Sequence, residues 1–309
     1  MIAQALVDGV LSGAIVALGA IGVTFSLSIL RFANFSHGDL LGVGGYAALF
    51  VLAMLAGAAG GADSAWNLPL GPFSFGWGLP LALAFAMALA VAVSLLLDAL
   101  VYRRLRQRSA DPLTLVFASF GLALVLRNTV LLLFGPDAHN YSSEIQMAVR
   151  LPGPVLVMPD QLLVFCITLA VLGALWFFLQ RTRHGIAMRS VAENPVLSGI
   201  AGIDIAATVR MTWIVSSMLA ALAGVFYGVT VQVRPEMGLN LLLPLFTAAI
   251  LGGVGSVSGA VLGALLISLT ENLVTLVIPS TYKPIVPFVL LLLVLYFRPS
   301  GLFAPKGGH

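Results

Sequence analysis

The sequence predicts an all-α membrane protein, a polytopic bundle of eight or nine transmembrane helices with broken or re-entrant segments. Three observations lead there. Of 309 residues, 60% are hydrophobic and only 9% are charged, against about 25% charged in an ordinary soluble domain. The mean hydropathy is +1.07, and the apolar residues recur in separate runs of about 20, the length that carries a helix across a bilayer. The net charge of +3 comes from arginines in short stretches between those runs. That placement is an orientation signal of membrane proteins and does not suit a nucleic-acid surface.

Taken in order, the expected spans are 5–30, 39–60, 79–101, 113–134, 160–180, 209–232, 240–254, 259–278 and 285–297, within one membrane domain over 1–309. The first run lacks a basic flank and an obvious small-residue cleavage site, and it is longer than the apolar region of a signal peptide, so it reads as a retained span. The seventh is short and carries Pro244, Gly252 and Gly253. It is expected to be re-entrant, because broken backbone at membrane depth needs cover from protein or a watery cavity.

Orientation follows from the loops. Arg103, Arg104, Arg106 and Arg108 lie together, and Arg181, Arg183 and Arg189 follow the fifth span, whereas 61–78 contains no basic residue. The two arginine-rich loops are therefore expected in the cytoplasm. Alternation puts 61–78 and 135–158, with Asp137, Glu144, Tyr141 and Arg150, outside. The N-terminus then falls outside and the tail with Arg298 and Lys306 inside. The single cysteine, Cys166, excludes a disulfide framework and a cysteine metal site and reads as a small packing residue.

Three polar interruptions carry the candidate chemistry. Residues 181–208 form the longest basic segment between spans. Asn194 suits an N-cap and Pro195 a first helical position, and a helix to about residue 201 would set Val196, Leu197 and Ile200 on one face. Such a face can enter a hydrophobic groove of another protein, or it can fold back on the bundle. The second interruption, 34–39, offers donors and acceptors on Asn34, Ser36 and His37 for a zwitterion, beside Phe35. Gly38 and Gly42 there would allow close helix approach. The alternative is a cytoplasmic turn with Asp39 capping the next helix. No second histidine lies at ligand spacing from His37, so a metal site is not expected.

The third interruption is glycine-rich. Gly255, Gly259 and Gly263 fall at i, i+4 and i+8, a smooth face for helix packing. Backbone amides from Gly252 through Gly253, Val254 and Gly255 to Ser256 can receive a carboxylate. No Lys-Ser or Lys-Thr follows these glycines, so this is not a phosphate-binding loop. Arg127 and Glu271 are ionisable residues inside spans and hence site candidates, each a possible partner for the other.

Together these stretches carry a family resemblance. Arg189 through Glu193-Asn194-Pro195, Ser198-Gly199-Ile200 and Gly202-Ile203-Asp204 resembles the cytoplasmic coupling loop of branched-chain amino acid ABC transporter permeases. Leu30-Arg31-Phe32-Ala33-Asn34-Phe35-Ser36-His37-Gly38-Asp39 resembles that family's Asn-Phe-Ala-His-Gly signature, with Ser36 in place of alanine. Gly252-Gly-Val-Gly-Ser-Val-Ser-Gly259 resembles its late glycine-rich signature.

The resemblance implies a non-enzymatic transport subunit in a bacterial inner membrane, surrounded by lipid. Its implied partners are a second homologous permease, two cytoplasmic ATPases and a periplasmic substrate-binding protein. ATP and Mg would be used by the ATPases, with no cofactor on this chain. The coupling residues would be Glu193, Asn194, Pro195, Leu197, Gly199, Ile200 and Gly202. The path would run past Asn34–His37 and Gly252–Ser256, carrying leucine, isoleucine or valine. Other readings are a permease for urea, amides or another small polar solute, an ion-coupled secondary transporter, or an intramembrane hydrolase. The last is opposed by the absence of a histidine after Ser256 and Ser258 other than His309.

Overall fold

The computed structural model describes residues 1–58, 66, 68–142, 146–151, 155–298 and 301–302. Of the positions named above, Glu144, Lys306 and His309 lie outside the described residues. The chain is a polytopic helical membrane protein: seven helices are long and apolar enough to span a bilayer, and two shorter apolar helices accompany them.

Helix α1 (Ile2–Phe25) continues into a π-helical turn, Ser26–Leu30, which stops at Arg31 in the left-handed conformation, φ 61°. Helix α2 (Ser36–Ala58) follows the break. Helix α3 (Gly78–Leu97) runs through a second π turn, Asp98–Tyr102, into α4 (Arg103–Gln107). Helix α5 (Pro112–Phe134) starts on a proline, whose missing N–H costs nothing in a first turn. A small antiparallel hairpin, β1 (Val149–Leu151) and β2 (Val155–Val157), pairs Val149 with Val157 and is the one sheet among the described residues.

The second half holds α6 (Pro159–Arg181), α7 (Arg183–Glu193), α8 (Pro195–Ile200), α9 (Ile205–Thr230), α10 (Met237–Gly252), α11 (Val257–Val274) and α12 (Ile285–Phe297). Helices α1 and α9 form the buried centre, whereas α5 and α6 present most of their surface outward. Lipid tails are as apolar as leucine, so helix association rests on close packing rather than on a hydrophobic drive. Small residues therefore mark the contacts. A Cβ on Gly224 of α9 would overlap the Leu41 carbonyl of α2, and one on Gly9 of α1 would come within 2.9 Å of the Leu269 Cα of α11.

Hydrogen bonds sort the connections into two ends. At one, Gln4 exchanges hydrogen bonds with the Leu156 backbone, Ser74 binds Asp160, and His139 pairs with Val233. That end holds the N-terminus, 68–77, the hairpin and 231–236. At the other lie α4, α7, α8 and Leu302, whose N–H donates to the Leu251 carbonyl.

Helix α10 lacks the interruption expected at Pro244. It is continuous through Pro244, and it ends at Gly253, φ 94°. Helix α11 then turns back along it, with Gly252 and Gly259 in backbone contact. Cys166 also departs from expectation, because it is exposed on the outer surface of α6 and packs no core.

Candidate functional site

The break between α1 and α2 is buried. Asn34, Ser36, His37 and Asp39 are each no more than 4% exposed. Asn34 Oδ1 accepts from the Ser36 N–H at 3.2 Å and the Ser36 hydroxyl at 2.7 Å, which caps the first turn of α2. Asp39 does not perform that role. The Tyr102 hydroxyl joins the cluster, 3.0 Å from Ser36 Oγ and 3.3 Å from Asn34 Oδ1. The Phe35 N–H donates to Ser119 Oγ at 3.0 Å. The polar groups freed by the interruption are thus held by side chains of the second π turn and of α5, as a buried break in a membrane requires.

His37 lies between α1 and α9. Its Nε2 is 3.0 Å from the Gly19 carbonyl and its Nδ1 is 3.3 Å from Ser216 Oγ, which itself donates to the Gly22 carbonyl at 3.2 Å. The ring fits because Gly22 has no side chain: a Cβ there would meet His37 Nε2 at 2.6 Å. His37 is a three-helix joint. Among the described residues no three His, Cys, Asp or Glu side chains converge on a metal position.

Two donors in this region have no partner. Asn34 Nδ2 and Trp213 Nε1 are buried without a hydrogen bond, and Trp213 stacks on Tyr102 with centroids 5.0 Å apart. Phe32 completes that aromatic group. An unmet buried donor costs about 1–3 kcal/mol, so such groups mark places where a passing polar solute or water gains a contact. Phe35 lies apart, its ring between Phe120 of α5 and Phe246 of α10.

The charged residues inside spans pair differently from the expectation. Arg127 holds Asp39 through two hydrogen bonds of 3.1 Å. Glu271 instead faces Lys283 at 3.9 Å. Arg127 and Glu271 are therefore not partners. Asp98 is held by Arg106 at 2.6 Å.

The glycine-rich turn occupies the arginine-rich end. Gly253 and Gly255 both take positive φ, 94° and 92°, and Ser256 caps α11 by accepting from the Gly259 N–H at 3.0 Å. The Gly253 N–H donates to Ile250 and the Ser256 N–H to Gly253, so two amides of the turn are already engaged. Val254 is exposed. Gly255 approaches Ser28 of the first π turn, and no described contact joins this turn to Asn34–His37. Gly259 and Gly263 have backbone of α10 against them, and Gly38 has the Gly238 carbonyl 2.6 Å from a Cβ position. Gly42 differs: a Cβ there meets nothing within 4 Å. Close approach falls instead at Gly44 and Gly45, where Ala221 and Met237 stand in the way.

Beyond α7, Asn194 accepts from the Leu197 N–H at 3.0 Å and starts α8. Glu193 ends α7, and Gly202 turns the chain toward α9 with φ 84°. Ser190 and Ser198 lie 2.8 Å apart and fasten α8 to α7. Its other face is open, with Val196 72%, Leu197 62% and Ile200 79% exposed. Gly199 meets only Ile205 at 3.3 Å.

Sequence reading overlooked Tyr102, Ser119, Ser216 and Trp213. Each lies in an apolar run, far along the chain from the residue it touches, and the sole local signal was a polar atom within a span.

Comparison with known proteins bears on the whole chain. The family described as branched-chain amino acid transport system, permease component, matches residues 5–295. The chain is 33% identical over 310 positions, 97% of its length and 94% of the relative's, to the high-affinity branched-chain amino acid transport system permease protein BraD of Pseudomonas aeruginosa. It is 29% identical over 317 positions, with the same coverage, to LivH of Escherichia coli, which carries the same description. A xylose transport system permease protein, XylH of Haemophilus influenzae, is 30% identical over 160 positions, 49% of this chain and 40% of that one. With a family match over nearly its full length and a buried break and glycine turn at the expected motifs, the chain belongs to the branched-chain amino acid transport permease family.

Proposed function

We propose that this chain is the membrane-spanning subunit of an ATP-driven importer and passes leucine, isoleucine or valine into the cytoplasm of a bacterium across its inner membrane. The observation that carries the reading is the α8 face. Val196, Leu197 and Ile200 project together from a capped helix at the arginine-rich end, and exposed apolar clusters of that kind mark protein contacts. The chain has no nucleotide-binding motif, so the energy source docks there: a cytoplasmic ATPase, one for each of two permeases. Glu193, Asn194, Pro195, Leu197, Gly199, Ile200 and Gly202 form the coupling segment within 181–208.

The family match and the relatives' descriptions support the substrate class. In this reading the chain crosses nine times, α10 and α12 included, with its N-terminus outside facing a periplasmic binding protein. Asn34, Phe35, Ser36 and His37 border the path at the α1–α2 break, and Gly252 to Ser256 border its cytoplasmic mouth. No cofactor is held by the chain itself.

The test is uptake of radiolabelled leucine by proteoliposomes containing the whole complex. Leu197→Asp with Ile200→Asp should leave the subunits in the membrane yet abolish ATP-driven uptake and stimulation of ATP hydrolysis by loaded binding protein. Full stimulation in that variant would place the docking site elsewhere. Uptake of xylose or urea with none of leucine would overturn the substrate.

A further inference from the structure

The end of the bundle that carries the N-terminus contains a cavity of about 360 Å³, within the roughly 300–1,000 Å³ typical of small-molecule pockets. Its wall has two characters. Ser74, Asn140, Gln146, Asp160 and Gln161 supply polar groups, and Phe75, Met158, Val229 and Val231 supply an apolar side. Asp160 stands in the first turn of α6 and is 3% exposed. Ser74 donates to it from its N–H at 3.2 Å and from its hydroxyl. Among the described residues no lysine, arginine or histidine forms an ion pair with it. A buried carboxylate needs a counter-charge or hydrogen bonds. Here the helix start and Ser74 supply that need in part, and Asp160 lines the cavity.

The floor is Tyr141. Its hydroxyl donates to the Gly45 carbonyl at 2.7 Å, and its ring fills the space beside Gly228, where a Cβ would lie 2.7 Å from it. Burial pushes the Tyr141 phenol above its usual range, so it is a neutral donor in the cell. Tyr141 thus stands where the cavity wall meets α2 and α9.

We propose that this cavity is the entry subsite for a zwitterionic aliphatic amino acid, with Asp160 holding the ammonium group. The side chain lies against Phe75, Met158, Val229 and Val231. Side-chain amides receive the carboxylate: Gln161 uses its oxygen on the Met158 N–H and Gln146 donates once to the Pro72 carbonyl, which leaves an amide N–H on each. The assignment rests on the amino-acid permease reading above.

The experiment is saturable binding of tritiated leucine to the full chain in nanodiscs. Asp160→Asn should weaken binding about tenfold, as expected when a charge-assisted hydrogen bond is lost. It should not weaken binding of 4-methylpentanoate, which lacks the ammonium group and is repelled by the Asp160 charge. Ser74→Ala keeps the carboxylate and should weaken binding clearly less than Asp160→Asn does. Val231→Trp, at an exposed position on the cavity wall, should fill the space and lose binding without touching Asp160. Wild-type leucine affinity in Asp160→Asn or Val231→Trp overturns the subsite. So does a loss in Ser74→Ala equal to that in Asp160→Asn, since Asp160 would then only anchor the 68–76 loop. If the complex imports leucine while the chain binds none, the subsite falls and the permease reading stands. If the complex imports only another solute, both fall.

Discussion

Replacing Arg127 by methionine tests the packing between α5 and α2 directly. Asp39 is 4% exposed and Arg127 17%, and the two share two hydrogen bonds of 3.1 Å between α5 and α2. Arg127→Met removes the cation and leaves a carboxylate in an apolar setting. Breaking a buried pair from one side costs about 3–5 kcal/mol in soluble proteins, and an isolated aspartate at a membrane helix centre costs about 2.5–3.5 kcal/mol. The ordinary interhelical hydrogen bond in a membrane, about 0.6 kcal/mol on average, is far smaller. The uncompensated charge therefore decides the outcome, and a loss of about 3 kcal/mol is expected, more than a hundredfold in the folding equilibrium. Removing the charge as well, in Asp39→Asn with Arg127→Met, should restore most of it. The assay is reversible denaturation by SDS in mixed micelles for wild type, each single variant and the double. A single variant within about 0.5 kcal/mol of wild type, or a double no more stable than Arg127→Met, refutes the reasoning.

Further outcomes follow from other contacts. Gly224→Ala should destabilise by about 1–3 kcal/mol in the same assay, because the new Cβ meets the Leu41 backbone, whereas Gly42→Ala should change little, having open space. Asn194→Ala removes the α8 cap and should cost about 1 kcal/mol of local stability, seen as faster amide exchange from Val196 to Ala201 with spans unaffected. In a Cys166→Ala background, Leu68→Cys should react with an impermeant maleimide on intact cells and Gln107→Cys only after permeabilisation; the reverse pattern overturns the orientation. Tyr141 is neutral in both states below pH of about 10, the usual phenol value, and burial holds its native pKa higher. Above that pH the unfolded chain releases the proton first, so stability falls as pH rises, and Tyr141→Phe should flatten that alkaline slope in denaturation curves.

The nine apolar runs each meet one of the nine long or apolar helices found among the described residues, to within about five residues at each end, because a long apolar stretch in hydrocarbon satisfies its backbone only as a helix. The α8 start was equally legible: a cap is a local bond between Asn194 and Leu197, three residues away. Partnership between spans was not legible. These helices are apolar on every face, so their sequence does not say which side meets which neighbour, and Arg127 could be matched to Glu271 as readily as to Asp39. Rotation and tilt, set by where glycines let backbones touch, decided that Arg127 reaches a residue 88 positions away. The same geometry buried Asn34 and His37, left open space at Gly42, and turned Cys166 outward. Sequence determined the helices and their order because those depend on near neighbours and on the solvent; the pairing of polar groups between helices waited on the tertiary structure, which alone brings distant residues within bonding distance.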